Sequence, residues 1–368
     1  MASITRSSTS PSLRASPLAR FFLVAYVLLV VYASLYPLAG WRAPGGPAWG
    51  FLLAPWPRYV TGFDLAANFL GYVPYGLLAA LAARPPLGRT GASLLALLTA
   101  AALSLAMESA QSFLPARIPS NVDVLANMAG ALCGGVSGAW LAPRLLGDGP
   151  LRRMRAEALD AGPAADVGLT LLGLWLFAQL NPATLLFGSG DLRDLVAGAP
   201  AAGEKHGAEL FVTIEAATAA ANLTAVALLV SALARAGTGA ARLAFGLVAL
   251  ALLVKTGAFV ILMQAEHVLA WLTPGAQIGL LAGALASAAA LRMPRAARIA
   301  FAAVLLMAAT VLVNLSPPNP YLAATLKVWE QGHFLNFNGL TRLVSAAWPF
   351  AALAWLVWLA AARREPRA

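Results

Sequence analysis

The chain has 368 residues, of which 60% are apolar and 11% are charged, and its mean hydropathy is +0.75. Soluble domains carry about a quarter charged residues, so this composition excludes an ordinary soluble protein and indicates an integral membrane protein. The net charge of +10 does not predict nucleic-acid binding, because most basic residues lie in connections between apolar stretches. We therefore expect an all-α, polytopic transmembrane helical bundle, with membrane lipids and no nucleic acid as partners.

Ten apolar stretches are long enough to cross a hydrocarbon core of about 30 Å as helices. In chain order they are 19–37, 66–83, 92–111, 123–142, 167–187, 210–233, 243–263, 268–291, 299–315 and 343–361. If both termini are cytoplasmic, 17 of the 25 basic residues fall on the cytoplasmic side, as the positive-inside rule requires. This topology places the N-terminal ends of the second and fourth helices at the outer face.

The connection after the fourth stretch divides the chain into two bundles. Residues 143–166 are rich in arginine and glycine and predict a cytoplasmic linker. On this division, 1–142 is a four-helix transmembrane module and 167–368 is a second bundle of about six helices. The outer connection 316–342 has apolar residues at helical spacing, which indicates a helix lying in the outer membrane interface. An ordinary aromatic belt is the alternative.

A short phrase occurs twice in the first bundle, as FDLAANFLG at 63–71 and as VDVLANMAG at 122–130. Both copies obey D-x-x-A-N-x-x-G. An acid and an amide four residues apart share one helical face, and a glycine three residues later lets another backbone approach. We expect two helices that enter the membrane from the same side and present matched polar groups. These groups are Asp64 and Asn68 in the first copy, and Asp123 and Asn127 in the second.

The third stretch supplies the remaining polar groups of this predicted outer site. Ser104, Glu108 and Gln111 are spaced i, i+4 and i+7, and Arg117 lies on the loop that follows. Glu108 is about two turns from that loop, and a carboxylate at that depth needs a partner or a water-filled cavity. Arg117 is the expected partner, and its guanidinium is also suited to an anionic head group. Crowded carboxylates favour general acid or base chemistry.

These residues allow both a functional and a structural interpretation. In the functional one, the catalytic groups are Glu108, Asp64 and Asp123, and the substrate-binding groups are Arg117, Asn68, Gln111 and Asn127. In the structural one, the aspartates cap helix starts, the asparagines bond between helices, and the buried acid forms an ion pair with the arginine. Small residues at four-residue spacing also predict close helix packing. The expected packing glycines are Gly71, Gly76, Gly130, Gly134 and Gly138.

The second bundle contains ionisable residues within predicted spans. Lys255 and Glu215 lie on adjacent helices, and we expect Lys255 to face Glu215 or a polar cavity. The segment 329–333, which ends in His333, is a candidate cover for the outer cavity of the first bundle. Three scattered histidines and the single Cys133 form no metal-binding motif, so we predict no metal and no cofactor.

Two runs of the first bundle, DLAANFLGYVPYG and ESAQSFLPARIPSNVDVLANMAGA, contain in order Asp, Asn, Pro-x-Gly, Glu-x-x-Gln, Arg, Asp and Asn-x-x-Gly. In this order and spacing, residues 20–142 resemble the VanZ-like family of bacterial membrane proteins. The resemblance implies a four-helix membrane module, in a family whose founding member is associated with resistance to the lipid-tailed glycopeptide teicoplanin. The positions that match the family's motif are Asp64, Asn68, Pro74, Gly76, Glu108, Gln111, Arg117, Asp123 and Asn127.

Three functions remain open from the sequence. The first is an outward-facing site, catalytic or binding, for an amphiphilic envelope molecule such as a lipid-linked cell-wall precursor or a lipoglycopeptide. The second is a non-enzymatic membrane scaffold, in which the repeated phrase only packs helices. The third is a transporter, which the parallel repeat at one edge does not favour. The expected location is the bacterial inner membrane, with several spans.

Overall fold

The computed structural model describes most of the chain as helix. The described residues are 16–57, 60–147, 150–193, 208–262, 268–317, 319–321 and 335–362. Its helices are α1 (Pro17–Leu35), α2 (Gly62–Gln111), α3 (Asn121–Leu146), α4 (Pro150–Ala158), α5 (Pro163–Ala178), α6 (Ala208–Leu233), α7 (Ala240–Leu262), α8 (Pro274–Ala290), α9 (Arg295–Leu315) and α10 (Leu335–Ala361). In this described part no β-strand occurs, so the predicted all-α class is confirmed.

Seven of the described helices are long and apolar enough to cross a membrane, and α5 and α8 are shorter apolar helices. The 50-residue α2 contains two predicted spans. Its backbone leaves the helical conformation at Gly88, with φ 69° and ψ −173°, two residues after the pair Pro85 and Pro86. A proline pair followed by a glycine with positive φ breaks a helix, so α2 consists of a first arm (62–87) and a second arm (89–111).

One predicted span ends earlier than expected. The sequence predicts an apolar segment over 167–187, but α5 ends at Ala178. Asn181 precedes Pro182, which disfavours helical geometry, and its side-chain oxygen accepts a 2.8 Å hydrogen bond from the Ala183 N–H. The residues after α5 therefore form a turn, much of which is buried in its own unit.

The chain divides into two compact units, Met1–Glu157 and Ala158–Ala368, and each is described by itself. In the first unit, both arms of α2 pack against α3, and α1 packs against α2. In the most apolar 18-residue stretch of α1, only 6% of the residues are buried, so most of this helix is available to lipid. The interior is built from alanines and from Tyr72 and Tyr75.

Glycines of α3 lie directly against the backbone of the first arm of α2. The opposing pairs are Gly130 with Phe69, Gly134 with Val73, and Gly138 with Leu77. A Cβ at any of the three glycines would collide with the partner's carbonyl oxygen, so the contact requires glycine. From one contact to the next, the residue number increases by four on both helices. The two helices are therefore parallel, as the repeated phrase predicts.

Two glycines of the first arm of α2, Gly76 and Gly71, differ in their packing contacts. Gly76 also lies against backbone, because a Cβ there would collide with the Ala131 carbonyl. Gly71 does not have the expected packing role, since a Cβ at this position would have no atom within 4 Å. Its carbonyl instead accepts a 2.6 Å hydrogen bond from the Tyr26 hydroxyl of α1. The glycine of the first copy therefore lacks the close contact that Gly130 makes in the second.

The second unit is built around α6. In the most apolar 18-residue stretch of α6, 78% of the residues are buried. The helix packs against α7, α8 and α9. The aromatic rings of Trp175, Phe187 and Trp348 pack together in the core. The Trp348 indole N–H donates to the Leu171 carbonyl at 2.7 Å, which joins α10 to α5. His333 and most of the predicted interfacial segment 316–342 lie outside the described residues.

Candidate functional site

The two aspartates of the repeated phrase lie in the first turns of α2 and α3. Neither is the N-cap: Thr61 caps α2 and Ser120 caps α3. The Thr61 hydroxyl accepts from the Asp64 N–H at 3.0 Å and donates to the Asp64 carboxylate at 2.6 Å. Ser120 accepts from the Asp123 N–H at 3.4 Å. Because the hydroxyl residues satisfy the helix starts, the two carboxylates are not needed as N-caps.

The two copies of the phrase meet across the α2–α3 interface. The Asn68 side chain of the first copy lies near the Asp123 carboxylate of the second. Asp64 is close enough to Asp123 for their charges to interact. The groups that the sequence predicts to converge are therefore brought together, by contact between the copies.

Glu108 reaches the same region from the end of the second arm of α2. Its carboxylate is 5% exposed and accepts a 2.8 Å hydrogen bond from the backbone N–H of Ser120. The charges of Asp123 and Arg117 both lie within electrostatic range of it. The predicted direct ion pair with Arg117 is replaced by this hydrogen bond, which attaches Glu108 to the start of α3.

Arg117 and Gln111 bind the C-terminal end of α1. The Arg117 guanidinium donates to the Tyr36 carbonyl at 3.0 Å and to the Ala33 carbonyl at 2.7 Å. The Gln111 amide donates to the Ser34 carbonyl at 2.9 Å. These bonds satisfy carbonyls that the last turn of a helix leaves without intrahelical partners. Burial lowers the pKa of Arg117, while the nearby Glu108 charge opposes this shift.

Asn127 forms the inner end of the polar cluster. Its amide donates to the Ser104 hydroxyl at 2.9 Å, which joins α3 to the second arm of α2. The side-chain oxygen of Asn127 is buried without a hydrogen-bond partner in the structure. A buried amide oxygen of this kind is available to a ligand or to water.

The exposure of these polar side chains increases toward the start of α2. Asp64 is exposed, Asn68 and Asp123 are half-buried, and Glu108 and Asn127 are buried. We refer to these five residues as the carboxylate cleft. Asp64 and Asp123 lie in the first turns of two parallel helices, and Asp64 is the exposed member of the group.

Large apolar side chains are exposed at the same end of the first unit. Leu53 is 83% exposed and Ile118 is 89% exposed. Trp41, Trp49 and Trp56 are also exposed on the connection between α1 and α2. We call these five residues the apolar rim. Tryptophans of this kind typically lie at the level of the lipid head groups.

The VanZ/LLP1 family model matches residues 21–142. This part of the chain is VanZ-like. The match covers the whole carboxylate cleft, all of α2, and α3 as far as Ala142. No curated protein and no solved structure matches the chain. Taken with its apolar helices, the chain is thus a membrane protein with a VanZ-like unit followed by a second helical unit.

The described part of the VanZ-like unit offers no ready metal centre. Among the described residues of the whole chain, no three His, Cys, Asp or Glu side chains are placed to hold a metal ion.

In the second unit, Lys255 and Glu215 do not form the expected direct pair. The Lys255 ammonium, which is 1% exposed, donates to the carbonyls of Asn181 and Thr184 at 2.6 and 3.0 Å. It also lies 3.2 Å from the Thr184 hydroxyl. Glu215 accepts instead from the Thr273 hydroxyl, which caps α8. Lys255 thus holds the turn after α5, and its charge lies within electrostatic range of Glu215.

Sequence reasoning missed the two N-caps and the helix end held by Lys255. The patterns T-x-x-D at Thr61 and S-x-x-D at Ser120 resemble capping boxes and were sufficient to assign the caps. The role of Arg117 had no comparable signal, because its carbonyl partners lie more than 80 residues away in the chain.

Proposed function

We propose that the VanZ-like unit binds the polar head of an amphiphilic cell-envelope molecule in the carboxylate cleft. The observation that carries this proposal is the graded exposure of the cleft, from exposed Asp64 to buried Glu108 and Asn127. A purely structural cluster has no need of an open end, whereas a binding site has. In this interpretation the cleft faces outward, where lipid-linked cell-wall precursors and lipoglycopeptides are found.

The charges of the cleft favour a head group rich in hydrogen-bond donors. Three carboxylates lie near one guanidinium, and two donor nitrogens of Arg117 already bind carbonyls of α1. This balance disfavours a phosphate as the main recognised group and favours hydroxyl or amino groups, such as those of a sugar or peptide. Asn68 and Asn127 add amide groups of the kind that orient such ligands.

The apolar rim is suited to the lipid part of the same molecule. Its exposed leucine, isoleucine and tryptophans lie on the two connections at the open end of the cleft. Those connections are joined, because the Ser112 hydroxyl donates to the Ala48 carbonyl at 2.9 Å and the Asn121 amide to the Ala54 carbonyl at 2.9 Å. An amphiphile would then place its head in the cleft and its chain against the rim.

If the unit is an enzyme, Glu108 is the best placed acid or base. It is buried, one of its oxygens is held by the Ser120 N–H, and the charge of Asp123 is nearby. Asp64 and Asp123 would orient the head group at the open end. Glu108 is then a candidate catalytic residue, and the reaction depends on the ligand that is identified.

The test measures binding of a lipid-linked cell-wall precursor and of teicoplanin to the purified protein in nanodiscs. We expect Asp123→Asn and Glu108→Gln to weaken binding by about tenfold, the effect of losing one charged hydrogen bond. Glu209→Gln, at an exposed acid in the first turn of α6, is the matched control. Teicoplanin tolerance of cells that express each variant gives a second readout. The proposal would be refuted if the protein bound neither the precursor nor teicoplanin, or if all variants bound equally well.

A membrane scaffold is the second candidate, and the glycine contacts of α3 favour it. Gly130 and Gly134 are required for packing regardless of any ligand. If the unit is only a scaffold, loss of function will follow loss of protein in glycine variants, and Glu108→Gln will be silent. Normal abundance with lost function in Glu108→Gln therefore separates the two candidates.

A further inference from the structure

The second unit contains a cavity that the proposed function of the VanZ-like unit does not use. Its volume is about 680 Å³, and it lies where α5 and α9 begin and α6 and α10 end. Six of its lining residues are alanines, so no large side chain fills it. Three of these alanines, Ala161, Ala236 and Ala362, are exposed, so the cavity opens at the surface, and a volume between about 300 and 1,000 Å³ is typical of ligand sites.

The guanidinium of Arg295 forms part of the cavity wall in a fixed orientation. It donates to the Ala232 carbonyl at the end of α6 at 2.7 Å. It also lies 3.6 Å from the Asp160 carboxylate, in an ion pair whose two side chains are 31% and 35% exposed. A long, partly exposed ion pair contributes little free energy, so an anion that reaches Arg295 can compete with Asp160.

The arginines around this end of the unit give it a positive field. Besides Arg295, they lie on the α6–α7 connection, on the α8–α9 connection and in the first turns of α7 and α9, and they are Arg235, Arg242, Arg292 and Arg298. Among the described residues of this end, the acids are Asp160 and Asp166. Pro294, the N-cap of α9, has no side chain that bonds to the helix start, which leaves N–H groups beside Arg295 without a side-chain cap. Arginine excess of this kind marks the cytoplasmic face, where anionic lipids are abundant.

We propose that this cavity binds a phosphate group, carried by the head group of an anionic phospholipid. Arg295 holds two phosphate oxygens in the bidentate geometry that guanidinium favours, and the alanine-lined volume accommodates the rest of the head group. The site is in a different unit from the carboxylate cleft and binds the opposite charge, so it does not depend on the function proposed above.

The experiment compares two short-chain lipids that differ only in head group. The melting temperature of the purified full-length protein is measured with dihexanoyl phosphatidylglycerol and with dihexanoyl phosphatidylcholine. Inorganic phosphate, compared with chloride at equal ionic strength, tests whether free phosphate is the source. The variants are Arg295→Gln, its control Arg292→Gln at an exposed arginine outside the cavity, and Asp160→Asn.

We expect stabilisation by phosphatidylglycerol alone, weakened about tenfold in apparent affinity by Arg295→Gln and unchanged by Arg292→Gln. Asp160→Asn should tighten binding, and this variant carries the test if Arg295→Gln does not fold. An Arg295-dependent effect of inorganic phosphate, without one of the lipid, would overturn the lipid assignment in favour of a soluble phosphate compound. Equal effects of the two lipids, equal loss in both arginine variants, or no gain in Asp160→Asn would overturn the site.

Discussion

In the VanZ-like unit the ionisable side chains lie at helix starts and ends, and their exposure increases from Glu108 to Asp64. In the second unit the buried Lys255 is held by the carbonyls of a turn, and Glu215 is held by the hydroxyl that caps α8. The first unit thus has charged groups with access to the exterior, and the second uses charged groups to fix irregular backbone. Hydrogen bonds thus account for the buried charges of the second unit, whereas the carboxylates of the first unit include an exposed member, Asp64.

The largest expected effect concerns the packing on which the cleft depends. Gly134→Leu places a side chain against the Val73 carbonyl, and we expect a loss of about 3 kcal/mol or failure to accumulate in the membrane. Gly71→Ala is the matched control, because it enters open space and should leave yield and melting temperature unchanged. Similar losses in both variants would show that the two glycines do not differ as described.

Lys255→Met tests whether Lys255 is structural. The carbonyls of Asn181 and Thr184 lose their donor, and we expect the second unit to lose about 2 kcal/mol of unfolding free energy. Precursor binding at the carboxylate cleft should not change in protein that folds. If Lys255→Met is as stable as the wild type but inactive, the contrast between the two units is incorrect.

Arg117→Ala tests the capping of α1. Removal of the guanidinium leaves the Ala33 and Tyr36 carbonyls without this partner, and we expect a loss of about 1 kcal/mol. Gln111→Ala, which frees only the Ser34 carbonyl, should cost less. Thermal unfolding measures both. An unchanged melting temperature with lost ligand binding in Arg117→Ala would instead assign Arg117 to the binding site.

The smallest effect concerns acid stability of the second unit. Burial alone would raise the pKa of Asp191, but hydrogen bonds and charge from Arg193 outweigh it and lower the pKa below its ordinary value. Stability from this group is therefore present above about pH 4 and is lost as the pH falls through the lowered pKa. The pair is partly exposed, so we expect a few tenths of a kcal/mol. Asp191→Asn should reduce the difference in melting temperature between pH 6 and pH 3; an unchanged difference contradicts the assignment.

The sequence was sufficient for the helical class and for the pairing of the two phrase copies. Both depend on local patterns. The length of an apolar stretch predicts a span, and the spacing of Asp64, Asn68 and Gly130 determines which faces of the first arm of α2 and of α3 are in contact. The break of α2 was visible as Pro85, Pro86 and Gly88, and the ten apolar stretches separate at that position.

The sequence was not sufficient for the partners of long polar side chains. Arg117 and Glu108 were expected to pair because they are close in the chain and opposite in charge. Backbone groups compete for the same side chains, and the ends of α1 and α3 offer unsatisfied carbonyls and N–H groups that a residue list does not show. Lys255 was expected to face Glu215 or a polar cavity, and its actual partners belong to a turn where a helix was expected.

The parallel arrangement of the first arm of α2 with α3 has an electrostatic consequence. Two helices that start on the same side present their positive macrodipole ends together, each equivalent to about half an elementary charge. Those ends lie at Asp64 and Asp123, whereas Glu108 stands in the last turn of the second arm of α2 and is bonded to the N–H of Ser120, the N-cap of α3. The direction of the first arm and of α3 therefore places a positive helix end beside each aspartate, while Glu108, beside the negative end of the second arm, is stabilised by the Ser120 N–H.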